Sequence, residues 1–79
     1  MFYYTYIFKS QKDNSFYIGW TNNLKIRLHK HNSGLVSATK YRKPFKLVYF
    51  EGCLNKQKAI LREKSLKTGF GRKYLKNRI

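Results

Sequence analysis

The chain has 79 residues, 18 of them lysine or arginine and only three aspartate or glutamate, for a formal charge of +15. That length holds one small core and no second folding unit, so residues 1–79 are expected to form a single domain. The charge exceeds what solubility requires and favours a polyanionic partner, above all nucleic acid, through phosphate neutralisation and counterion release.

The one cysteine, Cys53, excludes an internal disulfide and a cysteine-based zinc cluster. The apolar runs are strand-sized, and the start MFYYTYIFKS shows neither a basic leader nor a small-residue cleavage site. A cytoplasmic location is therefore expected, with no membrane partner.

Phe2 to Lys9 is dense in aromatic and β-branched residues and reads as a strand, with Phe2, Tyr4, Tyr6 and Phe8 on one face and Tyr3, Thr5 and Ile7 on the other. Gln11 to Ser15 supplies turn formers, so Phe16 to Trp20 is expected to return as the second arm of an antiparallel hairpin. Tyr17 and Gly19 share a face of that arm, and the missing side chain at Gly19 leaves room beside the tyrosine.

A helix is predicted from about Asn22 to Asn32, capped within Thr21 to Asn23 and ended by Ser33-Gly34. Its inward stripe is Leu24, Arg27, Leu28 and His31. Leu35 to Lys43 has no period but gathers hydroxyls, Tyr41 and the cations Lys40, Arg42 and Lys43, which suits a loop laid along a phosphate backbone.

Phe45 to Phe50 reads as a third strand ended by Glu51-Gly52, with Phe45, Leu47 and Tyr49 opposite Lys46, Val48 and Phe50. A second helix follows over Lys56 to Lys67, with Ala59, Arg62, Glu63 and Leu66 on one face, stopped by Thr68-Gly69. Gly71 to Ile79 forms a final basic helix or tail anchored by Tyr74, Leu75 and Ile79.

The placement of the carboxylates is informative because they are few. Asp13 is explained by its turn, and Glu51 is expected to pair with nearby lysines. Glu63 falls on an inward face, where a lone carboxylate is costly to desolvate. It is read either as the partner of Arg27 or Arg62, or as the single protein ligand of a Mg²⁺ or Mn²⁺ ion completed by water and phosphate oxygens. The second reading suits phosphodiester cleavage, with Arg27 on the phosphate charge and a tyrosine made acidic by cationic neighbours to handle water.

Taken together, Tyr4-Thr5-Tyr6, Tyr17-Ile18-Gly19, Arg27, the run His31-Asn32-Ser33-Gly34, Leu47 to Glu51, and Arg62-Glu63 with Leu66-Lys67 resemble the GIY-YIG nuclease superfamily. The resemblance is to its small stand-alone bacterial branch, related to the N-terminal nuclease domain of the excinuclease C subunit. It implies an α/β domain, a three-stranded antiparallel sheet flanked by helices in the order β-β-α-β-α-α.

It further implies a divalent-metal-dependent DNA endonuclease cutting one strand per active site. Tyr6, Tyr17, Arg27, His31 and Glu63 would be the catalytic residues, with Tyr17 favoured as base and Glu63 as the Mg²⁺ or Mn²⁺ ligand. The alternative is a basic nucleic-acid-binding module without turnover, or a small RNA- or ribosome-associated protein. Phosphate contacts are expected from Lys30, Lys40, Arg42, Lys43, Arg62, Lys67, Arg72 and Lys73. DNA is the expected partner, RNA shares the same phosphate chemistry, and sequence specificity would come from a protein partner, because phosphate contacts do not read bases. The first motif departs from the family pattern: it reads YTY, with Tyr4 where a glycine would give backbone room.

Overall fold

A computed structural model describes residues 1–79. The elements run β1 (Tyr3–Ser10), β2 (Phe16–Thr21), α1 (Leu24–Asn32), β3 (Phe45–Cys53), α2 (Lys56–Leu66) and α3 (Gly69–Lys76). The expected order β-β-α-β-α-α and the three-stranded antiparallel sheet are both present, with strand order β2-β1-β3. No helix is long and apolar enough to cross a membrane.

The central strand is β1, and its side-chain alternation divides the molecule into two small cores. Tyr6, Phe8 and Phe45 form one with Leu24 and Leu28 of α1. Ile7, Leu66 and Leu75 form the other beneath α2 and α3. The two-sided apolar pattern of Phe2 to Lys9 therefore reflects a strand covered on both faces. Thr5 fits the second face because its hydroxyl donates to the Ala59 carbonyl of α2 at 2.9 Å.

Local chemistry sets the helix limits. Asn23 caps α1, its side-chain oxygen accepting from Ile26 N, and Asn55 caps α2 in the same way through Lys58 N. Thr68 is a start signal as well as a stop: its Oγ1 donates to the Ser65 carbonyl and accepts from Gly71 N, so the terminal segment opens as a capped helix. Gly71 lets α3 turn back hard against α2, because a methyl there would collide with Leu66 Cα and the Ser65 carbonyl.

The third strand departs from the expected alternation. Ile7 pairs with Tyr49 but Phe8 pairs with Leu47, leaving Val48 as an extra residue in a β-bulge. Beyond it every side chain changes face. Phe50 joins Tyr6 on the α1 face, while Tyr49 and Glu51 turn to the α2–α3 face opposite Ile7 and Thr5. Pairing also continues past Glu51-Gly52 to Cys53, so those residues extend the strand that they were expected to end.

Candidate nucleic-acid interface

Tyr6 stands on the α1 face with Gly19 of β2 on one side and Phe50 of β3 on the other. Because Gly19 has no side chain, the phenol ring lies across β2; a Cβ there would collide with Tyr6 Oη and come 2.7 Å from Cζ. Arg27, about one turn into α1, meets the same hydroxyl, its Nε donating to Tyr6 Oη at 3.1 Å. Tyr17 pairs across from Phe8, and its ring packs 4.8 Å from that of His31. The fold thus gathers Tyr6, Tyr17, Arg27 and His31 from β1, β2 and α1.

Burial pushes the Tyr6 phenol above its ordinary value, and the hydrogen bond from Arg27 only partly offsets this. The expectation that cationic neighbours would favour a phenolate is therefore reversed at Tyr6. Its hydroxyl stays neutral and accepts from Arg27, inside a side chain that is buried. The bond to Tyr6 in turn holds Arg27 above its ordinary value, with Tyr17 contributing.

His31 is fully buried inside a box of Tyr6, Phe8, Tyr17 and Phe45. Its Nδ1 lies 2.8 Å from Thr39 Oγ1, and its Nε2 is buried with no hydrogen-bond partner in the protein. Burial, reinforced by the Arg27 charge, lowers its pKa to about 4. At neutral pH it is an uncharged ring wedged between strand and loop, and it offers no cation to a phosphate.

Glu63 lies on the half-buried face of α2, close enough for its charge to act on Tyr6. Its ion-pair partner is neither Arg27 nor Arg62 but Lys67, one turn on, at 3.5 Å. Arg62 is committed elsewhere: its Nε and Nη2 both donate to Glu51 at 3.0 Å, and its guanidinium stacks on the Tyr74 ring. Glu51 thus pairs with an arginine where lysines were expected.

The remaining predicted phosphate contacts fall into two groups. Lys30, Lys40, Arg42 and Lys43 are exposed at the end of α1 and along the loop after it. Arg42 is only loosely held by Asp13 at 3.9 Å, and Lys40 lies over the Tyr41 ring. Arg72 and Lys73 sit on α3, on the other side of the sheet, where Arg72 borders a cavity lined by Ile7, Phe16, Ile18 and Leu75.

Three positioning features escaped the sequence reading. The Asn32 side chain forms a two-way clamp on Phe45, donating to its carbonyl at 3.1 Å and accepting from its amide. Thr39 is a buried brace for His31. Ser10 Oγ donates to the Arg42 carbonyl at 2.6 Å and pins the basic loop to the hairpin. The signal for the first was an asparagine just before the helix stop; the other two depend on contacts remote in sequence.

The family model described as the GIY-YIG catalytic domain matches residues 2–76. Among curated relatives, a UPF0213 protein of Clostridium perfringens is 51% identical over 65 residues, covering 81% of this chain and 69% of that protein. Another from Staphylococcus saprophyticus is 41% identical over 75 residues, covering 94% of this chain and 90% of its own. The solution structure of a UPF0213 protein from Bacillus halodurans is 31% identical, with a TM-score of 0.58 over 98% of this chain and 84% of that one.

These findings correct the expectation of a metal-dependent DNA endonuclease. The relatives carry the UPF0213 name, which assigns no nuclease activity, and no three His, Cys, Asp or Glu side chains gather as a metal-ligating group. Glu63, the carboxylate whose charge acts on Tyr6, is already paired with Lys67. The donor set does not fit a resident Mg²⁺ or Mn²⁺, and the enzyme, hydrolase and cofactor expectations are withdrawn with it.

Proposed function

The chain belongs to the GIY-YIG family, and from that premise we propose that it is a non-catalytic, basic nucleic-acid-binding module whose principal ligand is the DNA phosphate backbone. The observation that carries this is the pairing of Arg27 with a neutral Tyr6 hydroxyl on a sheet face whose strand residues include no carboxylate. An arginine fixed through its Nε by a buried phenol, with Tyr17 also in reach, is oriented to turn an Nη donor toward a phosphate oxygen. Lys30, Lys40, Arg42 and Lys43 extend the positive surface along the adjoining loop.

Within the family, the YTY motif and the small size of the relatives support kinship with the stand-alone branch related to excinuclease C. A cytoplasmic location and a protein partner that supplies sequence choice are parts of the same proposal. The test is fluorescence anisotropy with labelled DNA in EDTA and then in Mg²⁺. Wild type and Glu63→Ala should bind comparably in both, and the DNA should be recovered intact. Metal-dependent binding, or cleavage abolished by Glu63→Ala, would overturn it.

A further inference from the structure

The α1 face of the sheet continues beyond the ground that α1 covers. Leu24 and Leu28 pack over Tyr6, Phe8 and Phe45, whereas Phe50, next along β3, remains 53% exposed and Phe2 remains 51% exposed. Tyr4 lies between them, its ring centroid 5.9 Å from that of Phe50 and 6.2 Å from that of Phe2. Its cross-strand partner is Gly52, so the ring spreads over bare backbone; a Cβ there would come within 3.3 Å of it. Phe2, Tyr4 and Phe50 therefore form a continuous aromatic surface beginning at the strand pair Tyr6–Phe50, with Arg27 on the same sheet face but on the β2 side of Tyr6, where it meets the Tyr6 hydroxyl over Gly19.

The composition of this surface is a product of the bulge at Val48. Unbroken alternation from Phe45 would put Tyr49 and Glu51 here; the extra residue sends both to the opposite face and brings Phe50 in. A carboxylate is thereby exchanged for an exposed aromatic ring, on the same sheet face as the arginine, in a chain of charge +15. Open aromatic rings on a sheet with a cation at one end match the chemistry of unpaired bases on a phosphate strand. A duplex hides its base faces and cannot use the rings.

We propose that Phe2, Tyr4 and Phe50 stack unpaired bases of single-stranded DNA while Arg27, positioned by the buried Tyr6, holds a phosphate further along the same strand. This rests on the DNA-binding reading and sharpens it to a strand class. DNA is the expected strand, in keeping with the DNA-binding reading; the Tyr4 hydroxyl is the one polar side-chain group among the three rings, and the ribose strand tests whether it engages a 2′-hydroxyl.

The experiment compares a short labelled oligothymidylate, its ribose counterpart and a duplex of equal length, using wild type, Phe50→Ala and Phe2→Ala. Both residues are about half exposed, so the folded state should survive, and thermal unfolding checks that. Phe50→Ala should weaken oligothymidylate binding about tenfold, Phe2→Ala less, and duplex binding should change little. Equal loss on duplex and single strand, no loss on either, or tighter binding of the ribose strand would overturn the stacking proposal while leaving DNA binding intact. Failure of the wild type to bind any of the three would instead overturn the DNA-binding reading.

Discussion

Gly19 lies directly beneath the ring of Tyr6, and the absence of one methyl group there allows the phenol to reach Arg27. Strand and helix are coupled through this contact: β2 supplies the space, β1 the ring and α1 the guanidinium.

Gly19→Ala is therefore expected to act on both stability and binding. The new methyl must displace a ring that is 1% exposed, in a core with little slack. Overpacking of this kind costs about 1–3 kcal/mol. Urea unfolding should show that loss, and anisotropy should show weaker DNA binding even at temperatures where the variant is fully folded. Unchanged affinity with reduced stability would mean that the Tyr6 position does not matter for the ligand.

His31 predicts a pH dependence. Its folded pKa of about 4 lies below its ordinary 6.5, so between these values the unfolded chain binds a proton that the folded chain does not. The contribution is complete above pH 6.5 and declines as pH falls toward 4. From pH 6.5 to 4.5 it amounts to about 2–3 kcal/mol. His31→Phe should flatten the stability curve across that window. A variant with the wild-type slope would show that another group titrates there.

Glu51 and Arg62 join β3 to α2, and Tyr49 adds a hydrogen bond to Glu51 at 2.6 Å. Burial raises the Glu51 pKa, but the bonds from Arg62 and Tyr49 outweigh it and leave the carboxyl below its ordinary value. Both side chains are about a third exposed, which limits the net value of the pair. Glu51→Leu should cost about 1–2 kcal/mol in urea unfolding, because it strands Arg62. Combining it with Arg62→Met should recover part of that loss. A double variant no more stable than Glu51→Leu alone would deny the coupling.

Much of the fold was legible because local signals agreed. Asn23 and Asn55 mark helix starts and alternation along β1 gives both cores correctly, whereas Thr68, read only as a stop, also caps α3. Tyr17, Arg27 and His31 were grouped by strand parity and helical spacing, while Tyr6 joined them only through the family resemblance. What failed was parity after Val48: a bulge inserts one residue without any mark in the composition and reverses the face of everything beyond it. That is why Phe50 was set on the face opposite Phe45, which it in fact shares. Glu63 failed for another reason. Helical spacing places it inward, but Lys67, one turn away on the same helix, supplies the counter-charge that was sought in Arg27, Arg62 or a metal ion. The burial of His31 depended on Thr39, in a loop with no periodicity to read.

The most direct test is the salt dependence of DNA affinity for wild type and Arg27→Ala, read as the slope of log K against log salt concentration. A phosphate-binding module should lose affinity steeply as salt rises, and Arg27→Ala should bind several-fold more weakly with a slope shallower by about one. Arg27→Ala should retain its fold, because Arg27 is partly exposed and belongs to neither hydrophobic core, and alanine suits the helix. A salt-independent affinity, or an Arg27→Ala slope and affinity equal to those of the wild type, would contradict the assignment of this face to phosphate.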